Sequence, residues 1–98
     1  MKITLHLNDK HQYELAGELT FQSVPAIYKQ IEQMIKENGE IPVDLSKVTR
    51  SDSAGVAMLV EWVRDVRQNG KSIQFYNIPG QMLAIAKVSG LDVILPLS

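Results

Sequence analysis

A chain of 98 residues that is 45% hydrophobic is sized for one domain, residues 1–98, whose core needs no metal or disulfide. The lack of cysteine excludes a disulfide framework, a thiol nucleophile and a thiolate metal site. Ten basic residues against eleven acidic ones give a net charge of −1, with no basic run or stripe of the kind that holds nucleic acid.

From the start, "KITLHL" alternates, with Ile3, Leu5 and Leu7 on one face and Thr4 and His6 on the other. "NDKHQ" then turns the chain and "YELAGEL" resumes it, so the two runs read as a hairpin. This opening never offers a continuous apolar h-region, and no stretch reaches the length of a membrane span. The expectation is a soluble cytoplasmic protein with no direct insertion into a membrane.

After Gly17 the period changes. Val24, Ile27, Tyr28, Ile31, Met34 and Ile35 recur at helical spacing and predict an amphipathic helix that stops near Asn38-Gly39. Pro25 belongs in its first turn, with Thr20 or Ser23 as the cap. "EIPVDLSKV" follows as a short strand, with Val43 and Leu45 on one side and Asp44 at its centre or near its end. A second helix runs from about Ala54 to Asn69, and Ile73 and Phe75 alternate in the next strand. "QMLAIAKVSG" predicts a third helix closed by Ser89-Gly90, and "LDVILPL" is a last short strand or a tail. The order ββαβαβα(β) defines an α/β fold with a mixed sheet of four to five strands and helices packed against it.

Few residues here suit chemistry. His6 and His11, both in or beside the first hairpin, lack carboxylates at ligand spacing, so they read as surface histidines and neither a metal nor a cofactor is expected. Ser53 has no histidine near it in sequence, and no Gly-x-Ser-x-Gly elbow or glycine-rich phosphate loop occurs. A non-enzymatic role follows. The second helix says more. At about 100° per residue, Val56, Leu59, Val60, Val63 and Val66 make one stripe suited to the sheet. Met58 then projects nearly opposite, beside Ala54, Glu61 and Asp65, with Trp62 on the flank one turn later. An off-core Met and Trp at this spacing suggest a contact surface; the alternative is a tryptophan wrapped over the core edge and a lone exposed methionine. Ahead of the helix stand Ser51, Asp52 and Ser53. Asp52 or Ser53 is placed to cap it, which accounts for one of the three polar residues and leaves the others unexplained.

"VDLSKVTRSDSAGVAML" resembles the strand–loop–helix segment of STAS domains, the family named for sulphate transporters and anti-sigma factor antagonists. "YELAGEL" and the closing "GKSIQFYNIPGQMLAIAKVSGLDVIL" resemble that family's early strand and its last strand–helix–strand, so the likeness spans nearly the whole chain. It implies the STAS fold and a protein that binds other proteins. Anti-sigma factor antagonists of the family carry a phosphate-accepting hydroxyl just before the loop glycine, where this chain has Ala54. The small stand-alone STAS subunit of a phospholipid-trafficking ABC transporter is more similar, and its loop hydroxyl corresponds to Ser53. That likeness implies a cytoplasmic ABC-transporter ATPase, within a larger membrane complex, as the partner. The expected contact residues are Arg50, Ser51, Asp52, Ser53, Ala54, Ala57, Met58, Glu61 and Trp62, with Ser53 also a possible regulatory hydroxyl.

Overall fold

The computed structural model describes residues 3–37 and 39–98. Its elements are β1 (Ile3–Leu7), β2 (Tyr13–Leu19), α1 (Val24–Glu37), β3 (Glu40–Ser51), α2 (Ser53–Gln68), β4 (Ser72–Tyr76) and α3 (Gly80–Val88). The strands form one sheet in the order β1-β2-β3-β4. β1 and β2 are antiparallel, whereas β2, β3 and β4 run parallel, because a helix returns the chain before each of the last two strands. Both crossovers step in the same direction across the sheet. Right-handed connections therefore place α1 and α2 on the same face.

Local chemistry explains the boundaries. In the first hairpin the Asn8 carboxamide oxygen accepts the N–H groups of Lys10 and Gln12 at 2.9 and 3.0 Å, and His11 takes a positive φ of 60° to close the turn. Ser23 stands just before α1; its hydroxyl oxygen accepts from the Thr20 N–H at 3.0 Å and donates to the Glu18 carbonyl at 2.8 Å. Pro25 occupies the first turn of α1, where its missing N–H costs nothing. Of the expected stop at Asn38-Gly39, Asn38 lies outside the described residues, and the Lys71 ammonium donates to the Ile35 carbonyl near the helix end. α2 and α3 close alike. Gly70 and Gly90, both at φ 70°, donate to the carbonyls of Arg67 and Lys87, while Lys71 and Leu91 reach back to Val66 and Ala86. These are Schellman closures, and their left-handed position is where glycine fits without a Cβ penalty.

The third strand is longer than the sequence pattern predicts. β3 runs for 12 residues and includes the segment expected to be a loop. Its inward residues are Ile41, Val43, Leu45, Val48 and Ser51, so the two-residue period slips after Leu45 and again after Val48. Two irregularities in the pairing with β2 produce those slips, one between Glu14 and Ala16 and one between Gly17 and Glu18. Asp44 holds the first. Its carboxylate accepts the Ser46 N–H (2.9 Å), the Ser46 hydroxyl (3.0 Å) and the Asn77 amide (3.1 Å). Burial pushes the Asp44 carboxyl up, but these donors together with the nearby Lys10 charge outweigh it and hold the group below its ordinary value.

No fifth strand forms among the described residues. The tail meets the sheet through a single parallel bridge, Leu97 to Phe75, with the Phe75 N–H donating to the Pro96 carbonyl at 2.9 Å. Pro96 has no N–H with which to extend a ladder. The segment before it turns back on itself, the Ile94 and Leu95 N–H groups both donating to the Leu91 carbonyl. The core lies between the sheet and the helices, with Leu15, Leu19, Ile31, Val43, Leu59 and Phe75 among its fully buried members. α2 is the central helix, packed against α1, α3, β3 and β4. A hydrogen bond from the Tyr28 hydroxyl to the Asp65 carboxylate joins α1 to α2. Burial, then that bond to a carboxylate, raises the Tyr28 pKa strongly. No helix among the described residues is long and apolar enough to cross a membrane.

Candidate functional site

The parallel strands β2 and β3 end side by side, Leu19 opposite Ser51, and the carboxyl ends of parallel strands are where α/β folds place their binding loops. Two loops leave this edge, Thr20–Ser23 toward α1 and Asp52 toward α2. The three polar residues that the sequence sets in a row part company here. Ser51 points inward and is 4% exposed. Its N–H donates to the Gln81 side-chain oxygen of α3 at 3.1 Å, and its hydroxyl donates to the Asp52 carbonyl at 3.1 Å. Asp52 is the N-cap of α2: Oδ1 accepts the N–H groups of Ala54 (2.9 Å) and Gly55 (3.3 Å). Its second oxygen accepts the Phe21 N–H at 3.2 Å, which ties the two loops together. Ser53 alone is exposed, and its hydroxyl makes no hydrogen bond to any described residue.

Gly55 is required by contact rather than by backbone angle. A Cβ there would sit 2.3 Å from the Ser51 hydroxyl and 2.4 Å from the Leu19 carbonyl oxygen. The first turn of α2 thus lies against the end of β2 with no room for a methyl group. That packing fixes Ser53, Ala54 and Ala57 on the outside of the helix, Ser53 and Ala57 exposed and Ala54 half-buried.

Two expected contact residues are elsewhere. Met58 is 3% exposed and Trp62 is 0% exposed, so both belong to the core and neither offers a surface. The Trp62 ring meets Phe75 edge-on at 5.7 Å between centroids, and its indole N–H has no partner among the described residues. The reason is the central position of α2. With α1 on one side and α3 on the other, the buried arc runs from Met58 through Trp62, Val66 and Leu59 to Val56, roughly 160° wide at 100° per residue. The valine stripe marks one border of that arc rather than its middle. Ser51 is a further correction, since a buried, doubly bonded serine cannot reach a partner.

Arg50 and Glu61 are on the surface and already paired within the chain. Arg50 Nη1 lies 3.9 Å from Glu18 and Glu61 lies 3.1 Å from Arg64. Exposed pairs of this kind contribute little and can exchange partners. Phe21 is the residue that sequence reasoning missed. It is 68% exposed in the loop that Asp52 clamps, and a lone aromatic between a strand end and a helix-capping serine was the available signal. The site therefore offers a free hydroxyl, two alanines, an exposed aromatic ring and exchangeable charges at its rim. His11 lies in the β1–β2 turn at the opposite end of β2, and His6 is engaged with Glu14 at 3.2 Å, so neither stands beside Ser53 as a base. No group of three or more metal-ligating side chains occurs among the described residues.

A mixed sheet in this order, with a capped loop opening its central helix, defines a STAS domain. The chain belongs to the family described as "Mlab, STAS domain", whose model matches residues 5–96. The anti-sigma-B factor antagonist of Bacillus subtilis (strain 168) is 23% identical over 87 residues, 89% of this chain and 80% of that one. Its namesake in Listeria monocytogenes is 23% identical over 82 residues, covering 83% and 72%. An anti-sigma factor antagonist from Mycobacterium paratuberculosis has a similar structure, with a TM-score of 0.78 over 98% of this chain and 83% of that one at 18% identity. A putative antagonist from Thermotoga maritima gives a TM-score of 0.77 over 97% and 84% at 16% identity. At such identities the structural likeness establishes the fold alone.

Proposed function

We propose that this protein is a docking subunit that binds the cytoplasmic ATPase of a phospholipid-trafficking ABC transporter through the outer strip of α2. The observation that carries the reading is the division of labour in the loop. Ser51 and Asp52 are consumed internally and Ser53 alone presents a hydroxyl, while by the family resemblance Ala54 stands where anti-sigma factor antagonists bear their phosphate-accepting residue. A methyl group there cannot be phosphorylated, which favours a permanent contact over a phosphate switch. The family description supports the same direction.

In this reading the Ser53 hydroxyl hydrogen-bonds the partner and Ala54 and Ala57 admit close approach of its surface. Phe21 supplies the aromatic anchor, the residue type in which binding energy tends to concentrate. Arg50 and Glu61 exchange their internal pairs for partner charges at the rim. Calorimetric titration with the cognate ATPase tests it. Ala57→Glu and Phe21→Ala should each weaken binding by about tenfold or more, equivalent to about 1.4 kcal/mol, while leaving the fold intact. Unchanged affinity in both variants contradicts the assignment.

A second reading has its own support in the names of the curated relatives, which are anti-sigma-B factor antagonists. It takes Ser53 as the regulatory hydroxyl, one residue earlier than the antagonists' own. Incubation with a cognate anti-sigma kinase and ATP, followed by mass spectrometry, separates the two. Stoichiometric phosphate on Ser53 would favour the antagonist. Asp52 weighs against that outcome, because its carboxylate already occupies the first N–H groups of α2 and would repel a neighbouring phosphate.

A further inference from the structure

The far end of α2 carries a different surface. Val60 and Val63 form the floor of a groove of about 430 Å³, Ile94 of the tail forms its wall, and Arg64, Arg67 and Gln68 stand along its rim. Val88, at the end of α3, and Val93, next to Ile94 in the tail, are also exposed almost completely. No carboxylate lines the groove. Glu61 pairs with Arg64 from one turn above at 3.1 Å, whereas Arg67 is exposed and has no ion pair among the described residues.

From this we infer a second docking surface at the carboxyl end of α2 that takes an acidic amphipathic helical segment of a partner protein. The shape selects a rod, because the groove follows α2 for about two turns and lies open to solvent rather than enclosing a chain end. Apolar side chains on one face of such a segment would cover Val60, Val63 and Ile94, and its carboxylates would meet Arg67 and draw Arg64 away from Glu61. Charge complementarity decides among occupants. A second copy of this face would bring Glu61, already held by Arg64, and Asp92, two residues from Ile94, whereas an acid-rich segment adds carboxylates for the unpaired Arg67. The surface adjoins the Ser53 strip at the Glu61–Arg64 pair and extends away from it, with about 14 residues of helix, roughly 21 Å, between Ser53 and Arg67.

Fluorescence anisotropy with two labelled, stapled helical peptides of three turns tests the inference. Both carry the same leucine stripe, flanked by glutamates in one and by lysines in the other. The glutamate peptide should bind at least about tenfold more tightly than the lysine peptide. Arg67→Glu and Ile94→Lys should each remove most of that binding, with unchanged circular dichroism and melting temperature. Equal binding of the two peptides, no binding of either, or indifference to both substitutions overturns it. Two controls name the other occupants. A dimer in sedimentation equilibrium that Arg67→Glu dissolves would assign the groove to a second copy of this chain. Flotation with phosphatidylglycerol vesicles that Arg67→Glu abolishes would assign it to a membrane surface. Either result also overturns the proposal.

Discussion

The inner and outer sides of α2 are made of different material, and the contrast runs against residue type. The side chains most suggestive of a binding surface, Met58 and Trp62, face inward, while the outer strip begins with Ser53, Ala54 and Ala57. A helix flanked by two others has about half of its circumference to fill with core, so large side chains are drawn inward and small ones remain outside. The same division repeats within three residues ahead of the helix. Ser51 is interior mortar between β3, α3 and the cap, and Ser53 is free. Two serines of identical chemistry thus acquire opposite roles from the phase of one strand.

The largest test of this contrast is Trp62→Ala. Removing the biggest fully buried side chain should cost about 3–5 kcal/mol, read from urea denaturation, whereas a surface tryptophan would cost well under 1 kcal/mol. Trp62→Phe sharpens the point, because it keeps most of the contact with Phe75 and deletes an indole N–H that has no partner among the described residues. It should cost far less than alanine does. Met58→Glu should unfold the protein and cannot serve as an interface probe, which is the reason for placing the probe at Ala57.

Gly55→Ala comes next. The added methyl would overlap the Leu19 carbonyl, a backbone atom that cannot swing away, so α2 must shift at a cost of about 1–3 kcal/mol. A helix whose first turn stood clear of β2 would instead gain stability from this change. Asp52→Ala should cost about 1–2 kcal/mol for the lost cap and additionally free the Phe21 loop, seen as faster amide exchange at Phe21.

Asp44 tests the phase of β3. Its carboxyl is held below the ordinary value of 3.8, so its contribution is fully present above that pH and is lost as pH falls through the lower folded-state value. Acid unfolding of Asp44→Asn should therefore show a shallower loss of stability below about pH 4 than wild type. The smallest effect belongs to Ser53→Ala, within about 0.5 kcal/mol of wild type in denaturation, because its hydroxyl bonds to none of the described residues.

Much of this architecture was legible in the letters. Helical spacing located α1, α2 and α3, the Asn-Gly and Ser-Gly pairs marked two Schellman closures, and Pro25 fixed the start of α1. The length of β3 was hidden because two bulges break its alternation. "DLSKVTRS" therefore looks like the end of a strand and a loop, although Val48 and Ser51 still point inward. That hidden continuation also concealed which serine is exposed. The buried side of α2 lies roughly 60° from the centre that five valines and leucines suggest, since nothing local announces that α1, joined to Asp65 through Tyr28, packs on the side where Met58 lies. Phe21 escaped notice because its importance comes from a contact to Asp52 across 31 positions of chain.

Hydrogen–deuterium exchange of the protein alone and with the transporter ATPase proposed as its partner tests the central claim most directly. Protection should appear at Phe21 and along the amides from Ser53 to Glu61, with β1 unaffected. Protection confined to β1 or the sheet, with the start of α2 exchanging as in the free protein, would contradict the account.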